Sequence, residues 1–418
     1  MSASDREHDI VLYGATGFVG KLTALYLASA AGDAHIALAG RSADRLLAVR
    51  ETLPASAQSW PLITADASDP SSLAAMAAST RVVISTVGPY LRYGLPLVAA
   101  CAAAGTDYTD LTGEPLFIRR AIDEYHKQAV DTGARIVHSC GFDSIPSDLT
   151  VFALYRQAEK DGAGQLGDTN YVVRRFAGGM SGGTIASMTE LVREAAEDPE
   201  SRKLLNDPYT LSPDRGAEPE LGGQPDARWR RGRDIAPELD GYWVGAFAMA
   251  MPNSRIVRRS NALLEYAYGR RFEYAEQMSL GKSPVAPLAA AMATGGNIAV
   301  VELGSRFLNR VPRSALERIL PKPGSGPSEQ TREKGHYTVE TYTTTSSGAR
   351  YVARMSQQGD PGYKATSVLL SESALALALD RDKLSDLRGV LTPASAMGDA
   401  LLDRFPAAGV SLDVTKLA

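Results

Sequence analysis

The sequence predicts an α/β protein: an amino-terminal doubly wound parallel sheet of Rossmann type, a second α+β domain with an antiparallel sheet, and C-terminal helices returning to the first domain. Three observations predict it. Over roughly the first 150 residues, short apolar runs alternate with amphipathic segments, as strands and crossover helices do in a parallel sheet covered on both faces. Gly14-Ala15-Thr16-Gly17-Phe18-Val19-Gly20 stands directly after the first such run and opens the first amphipathic one. Far downstream, His336 to Thr345 alternates β-branched and aromatic residues, Ser346-Ser347-Gly348 supplies a turn, and Ala349 to Met355 runs back as a partner strand.

In chain order, strands are expected at Ile10 to Tyr13, Ile36 to Ala39, Leu62 to Ala65, Val82 to Val87, Thr106 to Asp110 and Arg135 to Ser139. Between them Phe18 to Ala30, Ala43 to Leu53, Pro70 to Ala78, Leu95 to Ala104 and Pro115 to Thr132 are helical by period and by their Gly, Pro and Ser/Asp boundaries. Beyond Asp148 the texture changes. Residues 200–240 are rich in Pro, Gly and charge and read as a long loop, whereas Gly241 to Arg259 returns to an apolar strand pattern. The tail reads as helices at Lys364 to Leu379 and Pro393 to Phe405. The expected division is therefore a nucleotide-binding domain over 1–148, an α+β substrate domain over 149–360, and a helical segment over 361–418 that packs back on the first domain.

A chain of 418 residues is too long for one core, since single domains stop growing at roughly 250 to 300 residues. Forty-four basic against 48 acidic side chains lack the excess that phosphate-backbone neutralisation needs, which argues against nucleic acid. Cys101 and Cys140 cannot form a disulfide framework, and no CxxC or HExxH pattern suggests metal. The polar stretch from Met1 to Asp9 is no secretory signal, so a cytoplasmic location is expected. Ser283 to Val301 is 19 residues without a charge, the length of a membrane span. Pro284, Pro287, Gly295, Gly296 and Asn297 interrupt it, which disfavours a span and leaves peripheral membrane contact open.

The glycine-rich turn carries the strongest chemical signal. Glycine permits a tight turn and close approach to a pyrophosphate, while amides at a helix N-terminus hold the negative charge, so Gly14, Ala15, Thr16, Gly17, Phe18, Val19 and Gly20 are expected to bind a dinucleotide. A phosphate-hydrolysing P-loop fails, because Ala15 stands where its first glycine belongs and Leu22 where its hydroxyl belongs. After the second strand comes Ala39-Gly40-Arg41-Ser42. With no carboxylate on the ribose and a guanidinium able to grip a 2′-phosphate, NADPH is the expected cofactor, held there by Arg41 and Ser42. Arg45 is either a second cation or a solvated helix residue, and Asp66 either faces the adenine amine or is a plain loop acid. Val87, Gly88 and Pro89, after the fourth strand, are placed beside the nicotinamide. Asp107, Tyr108, Asp110, Thr112-Gly113-Glu114 and the run from Cys140 to Asp148 converge on the same edge.

GATGFVG, STVGPY, GTDYTDLTGE and GFDSIPSD, in this order and spacing, resemble the saccharopine dehydrogenase-like oxidoreductases. The likeness continues through Ser181-Gly182-Gly183-Thr184, Arg258-Arg259-Ser260, Gly359-Asp360-Pro361-Gly362-Tyr363 and Leu391-Thr392-Pro393-Ala394, and covers essentially the whole chain. Within that family the sequence looks closest to the trans-acting enoyl reductases. The resemblance implies reduction of a carbon-carbon double bond on a carrier-bound acyl chain, for a polyketide synthase of phthiocerol-type wax lipid biosynthesis. It carries over no catalytic residue.

For an enoyl thioester, the protein must stabilise an oxyanion and supply a proton. Tyr108 and Tyr90 are the first catalytic candidates, as neutral phenols near the nicotinamide edge, and Asp143 would serve only with a pKa raised by burial, capping a helix being its simpler role. His138 reads as a satisfied core histidine. Ser181-Gly182-Gly183-Thr184 either caps a helix or offers amides to a thioester oxygen or a pantetheine phosphate. Arg228-Trp229-Arg230-Arg231-Gly232-Arg233 is either a solvated charge run or a dock for an acidic carrier domain. Two rival readings stay open: a saccharopine-type dehydrogenase acting on an amino-acid imine, with Arg174 and Arg175 gripping carboxylates, and a non-catalytic NADP-binding, lipid-associated protein. The expected partners are a polyketide synthase or acyl carrier domain, with a homodimer left open.

Overall fold

The computed structural model describes residues 6–178, 182–293 and 326–418. Its first sheet is built from β1 (His8–Tyr13), β2 (Ile36–Gly40), β3 (Leu62–Thr64), β4 (Thr80–Ser85), β5 (Asp107–Asp110) and β6 (Arg135–Val137). Their apolar runs are buried nearly throughout, as strands covered on both faces must be. The helices between them are α1 (Phe18–Ala30), α2 (Ala43–Glu51), α3 (Pro70–Ala78), α4 (Tyr90–Tyr93), α5 (Leu95–Ala104) and α6 (Pro115–Thr132). Helices α3, α5 and α6 cover one face, where Val11, Val83, Tyr108 and Ile136 pack. The other face, presenting Ile10, Leu12, Val82 and Ile84, is covered by α1 and by a helix from the far end of the chain, Thr366–Leu379.

The second sheet begins after α7 (Ile145–Lys160), with β7 (Leu166–Ala177). Helices α8 (Gly182–Glu197) and α9 (Pro199–Asn206) follow, then β8 (Arg230–Arg231), β9 (Trp243–Ala246), α10 (Ala250–Leu263), β10 (Glu273–Ser279), β11 (His336–Thr345) and β12 (Arg350–Gln358). The last strands, β13 (Gly389–Leu391) and β14 (Val410–Leu417), come from the tail. Among the described residues the first sheet runs β13-β6-β5-β4-β1-β2-β3, all parallel. The second runs β14-β12-β11-β7-β10-β9-β8, with only β10 and β7 parallel. The expected hairpin is there, with His336 opposite Gln358 and Thr344 opposite Arg350.

Several expectations are corrected. The apolar stretch from Gly241 to Arg259 is one short strand and then α10, because Arg255, Arg258 and Arg259 fall on successive turns and are buried against loop carbonyls. The tail is not helical alone: β13 closes the first sheet beside β6 and β14 edges the second beside β12. Pro393 to Phe405 breaks into two short helices, Pro393–Ala396 and Gly398–Arg404, at Gly398, whose φ of +38° favours glycine. Within 200–240, α9 and β8 replace part of the expected loop. Of the uncharged stretch from Ser283, the part beyond 293 lies outside the described residues. Among those described, no helix is long and apolar enough to cross a membrane.

Two buried carboxyls fasten α7 and α10. Asp148 accepts from Ser260 Oγ and, at 2.8 Å, from Ala394 N. Glu276 accepts from Asn253 Nδ2 at 2.9 Å and from the Tyr274 hydroxyl at 2.8 Å. Burial pushes Asp148 up to about 7 and Glu276 up to about 8, against the opposing pull of those hydrogen bonds. The folded chain therefore keeps protons that the unfolded chain has released, and stability falls as pH rises through the window from about 4 to about 8. Urea unfolding at pH 5 and pH 9 should show this loss. Glu276→Gln, which mimics the protonated group, should lose less by on the order of 2 kcal/mol. Equal losses in the two proteins would show that Glu276 is not the group responsible.

Candidate active site

The site grows from the end of β1. Gly14 turns the chain with φ +90°, its N–H donating to Ala39 O at 2.9 Å, and Gly17 N–H donates back to Gly14 O at 2.9 Å. A Cβ on Gly14 would meet Thr86 Oγ1 at 2.5 Å, and one on Gly20 would meet Gly14 O at 2.2 Å, so turn and helix touch backbone to backbone. No side chain caps α1 and no acid stands in its first turn. Its leading amides and helix dipole are thus left to an anion. Thr86 Oγ1 donates to Gly14 O at 3.1 Å and holds the turn against the end of β4.

At the end of β2, Arg41 is exposed and makes no salt bridge among the described residues, while Ser42 caps α2 by accepting from Arg45 N. Asp66 lies close by. Its Oδ1 accepts from Ser68 N at 2.8 Å and Ser68 Oγ at 2.6 Å, and these bonds, with the charge of Arg41, hold its carboxyl below the usual range. Both residues also act on Tyr13, whose phenol burial pushes up to about 12. Arg41, Ser42 and Asp66 thus share one corner of the sheet edge. After β4, Val87 and Pro89 are partly exposed and Gly88 is exposed; a Cβ on Gly88 would meet nothing nearer than the Tyr90 ring at 3.5 Å. The protein's own packing does not require that glycine.

The tyrosines lie elsewhere than expected. Tyr90 is buried, and its hydroxyl donates to Ser85 O at 3.0 Å and accepts from Leu111 N at 3.3 Å, tying β4 to the end of β5. Tyr108 points from β5 into the layer beneath α5 and α6, fully buried, its hydroxyl without a partner among the described residues. Burial drives both phenols well above 10 and takes them off the surface a substrate would reach. For Tyr108 the reason is strand alternation, since a residue inside a strand points at a face of the sheet and not along its edge, whereas Tyr90 opens α4 and packs its ring against Phe117 at 5.7 Å. Asp143, in the loop after β6, stays partly exposed beside Phe142, whose ring packs on Phe176 at 5.9 Å and Tyr337 at 4.6 Å.

Backbone at this edge is held by acids. Asp110 accepts from Thr112 N and Ser139 N at 3.0 Å each and meets His138 Nδ1 at 2.7 Å. His138 is buried as expected, but its Nε2 has no partner among the described residues. Glu114 accepts from Tyr90 N at 3.0 Å, Leu91 N at 2.7 Å and Ser187 Oγ of α8, joining the start of α4 to the helix that follows β7. A wall completes the edge, formed by Phe18 of the expected nucleotide turn with Arg332 and Tyr363, two residues that the sequence left without a role. The Phe18 ring packs edge-on against Tyr363 at 4.9 Å, Arg332 lies over it at 5.3 Å, and the Tyr363 hydroxyl accepts from Gly182 N at 3.2 Å. Within the Ser181-Gly182-Gly183-Thr184 motif, Ser181 and the Thr184 side chain lie outside the described residues.

Other candidates are committed to the fold. Arg174 pairs with Glu340 at 3.3 Å and lies over the Tyr242 ring at 4.2 Å. Arg228 pairs with Asp168 and Glu273, and Arg230 with Asn170, which breaks up the charge run. Both cysteines are free and buried, and no metal-binding cluster exists among the described residues. Replacing Gly20 by Ala should force the turn apart, lower the melting temperature and weaken NADPH binding by at least about tenfold. Calorimetric titration checks it, and unchanged affinity would remove this turn from the cofactor site.

Residues 10–137 match the model of the saccharopine dehydrogenase NADP binding domain. The whole chain is 62% identical to the trans-acting enoyl reductase of Mycobacterium bovis (strain BCG / Pasteur 1173P2), over 100% of both chains. It is 60% identical to the trans-acting enoyl reductase of Mycobacterium ulcerans (strain Agy99), again over 100% of both. A Mycobacterium tuberculosis (strain ATCC 25618 / H37Rv) protein that carries the same name provisionally is 68% identical over 100% of both. Among solved structures, apo saccharopine dehydrogenase (L-Glu forming) from Saccharomyces cerevisiae shares the fold, with a TM-score of 0.55 and 14% identity over 98% of this chain and 100% of that one. The chain belongs to the saccharopine dehydrogenase-like oxidoreductases, NADP-dependent enzymes, in the branch whose members are named trans-acting enoyl reductases.

Proposed function

We propose that this chain is an NADPH-dependent enoyl reductase that acts in trans, reducing a carbon-carbon double bond of an acyl chain carried by a polyketide synthase in phthiocerol-type wax lipid biosynthesis. The observation that carries the enoyl reductase reading is the 62% identity, end to end, to a relative named trans-acting enoyl reductase, while the polyketide-synthase and wax-lipid setting rests on the resemblance of the sequence motifs. In this reading the amides of Gly14 to Gly20 and the start of α1 hold the pyrophosphate. Arg41 and Ser42 take the 2′-phosphate, Asp66 the adenine, and Val87, Gly88 and Pro89 border the nicotinamide. The fit rests on uncapped amides, an unpaired exposed guanidinium and a glycine with open space above it.

Bound NADPH would supply the hydride for the β-carbon. The chain must then stabilise charge on the thioester oxygen and deliver a proton to the α-carbon. Tyr363 is buried like Tyr90 and Tyr108, but its position and free hydroxyl hydrogen suit the proton task better. It stands against Phe18 at the opening of α1, and its hydroxyl accepts from Gly182 N, leaving its own hydrogen to donate. Asp143 is the second choice, partly exposed at the same edge. Of the two arginines the saccharopine-type alternative calls on, Arg174 is already paired with Glu340 and only Arg175 is exposed, which weakens a multi-arginine carboxylate grip.

Following NADPH absorbance with an enoyl thioester on a carrier domain, and separately oxidation of saccharopine with NADP, tests the reading. Turnover of the first alone is expected, and turnover of saccharopine alone would replace it. Tyr363→Phe should lower kcat by about 100-fold with little change in NADPH affinity. Arg41→Asp should shift cofactor preference toward NADH by at least about tenfold, and an unmoved preference would assign the 2′-phosphate to another residue.

A further inference from the structure

We infer that the β8 edge of the second sheet, with the helix at 286–293, is a docking surface for an anionic membrane. This goes beyond the proposed activity and does not depend on it. The helix is built inside out. Ala286 and Ala290, one turn apart, are buried, and a Cβ on Gly245 of β9 would meet Ala290 O at 2.7 Å, so helix and strand lie in backbone contact. The large side chains face away: Val285 is 67% exposed, Leu288 64% and Met292 67%. Spacings of three and four put these on one face. A helix on a water-facing surface has the opposite order, with large apolar residues inward and polar ones outward. Residues 283–293 contain no charged or amide side chain to solvate that outer face.

The ridge continues into an aromatic and basic edge. Trp243 N donates to Gly281 O at 3.0 Å, and Leu280 N to Trp243 O at 2.9 Å, so the segment leading into the helix runs beside β9. The Trp243 ring stacks on Trp229 at 5.9 Å, with Trp229 51% exposed, and Arg231 lies over Trp243 at 5.6 Å. Lys282 lies over Tyr242 at 4.4 Å. Arg231, Arg233 and Lys282 are exposed and form no salt bridge among the described residues; of the nearby acids Glu238 is paired with Arg350, while Asp234 and Asp240 are exposed, so three cations face two acids. Aliphatic side chains standing proud of a helix, an exposed indole and flanking cations are the set that settles at the headgroup level of a bilayer. They project as a ridge, which a fluid surface accepts without a complementary groove. The cations select anionic headgroups.

The full-length protein with NADPH present is floated with vesicles of phosphatidylcholine containing phosphatidylglycerol, and with phosphatidylcholine alone. Flotation with both is expected, stronger with the anionic vesicles. Leu288→Ser/Met292→Ser should lower partitioning by at least about fivefold. Arg231→Gln/Lys282→Gln should remove the preference for anionic vesicles and leave the remainder. Both pairs are surface changes, and unchanged melting temperature and NADPH affinity confirm that the fold persists. Failure of the parent protein to float, or equal flotation of the Leu288→Ser/Met292→Ser variant, overturns the inference. So does a concentration-dependent dimer that the same pair abolishes without affecting flotation, since the ridge would then belong to a second copy of the chain.

Discussion

The constraint on which the structure most depends is the burial of Asp148. Its carboxyl is fully out of solvent, and its two oxygens fasten three elements that lie far apart in the chain. It stands on α7, takes the Ser260 hydroxyl of α10, and takes Ala394 N at the start of the short helix Pro393–Ala396. Ser260 Oγ also lies 2.7 Å from Thr392 Oγ1, and Thr392 and Ser395 cap that helix reciprocally. Breaking such a buried set costs more than the bonds are worth singly, because each orphaned polar group keeps its desolvation penalty. Since α7 leads out of the first sheet, α10 packs on the second, and Pro393 follows β13, this knot sets one sheet against the other. The fragments GFDSIPSD, RRS and LTPA, which carry the family resemblance in the sequence, therefore meet largely in an architectural contact.

The same division of labour separates the acids around the site. Asp110 and Glu114 are buried and bonded to backbone amides, so they shape the loops after β5, β6 and β4. Asp66 remains at the surface, held ionised by Ser68 and Arg41, and is free to face a ligand. The tyrosines divide by position and not by burial: all three are buried, Tyr90 and Tyr108 within the first sheet's layers and Tyr363 against Phe18 and Gly182. Residue type alone does not decide between framing and binding. The direction in which each strand or loop aims the side chain does.

That distinction marks how much was legible in the sequence. Helices from Phe18, Pro70, Leu95 and Pro115 could be bounded to the residue, because each opens after a Gly, Asp or Glu or on a proline and ends near a glycine or serine. The nucleotide turn was legible because glycine is demanded there by backbone contact, a local requirement. Strands β13 and β14 were not, since two apolar residues after a glycine, or alternation in a charged tail, acquire meaning only from a partner strand distant in the sequence. The stretch around α10 misled for a related reason. Buried arginines look like surface charge until the groups that receive them are known.

Those arginines explain how a loop rich in proline, glycine and charge becomes part of the interior. Arg255 donates to Leu205 O, Arg258 to Pro208 O and Arg259 to Leu211 O, while Arg119 of α6 donates to Thr210 O. A strap from 205 to 211 thus receives from side chains the hydrogen bonds that a strand would take from its neighbour. Arg255 and Arg258 share the carboxylate of Asp226. Among the described residues Arg259 has only carbonyls as partners, those of Leu211 and of Val390 in β13, and burial, aided by the nearby charge of Arg119, brings it down to about 9. Carbonyl dipoles alone offset the burial of that cation, which they can do only while the strap and β13 both stay in place. One side chain on α10 thereby couples the order of the loop to the closure of the first sheet by its last strand.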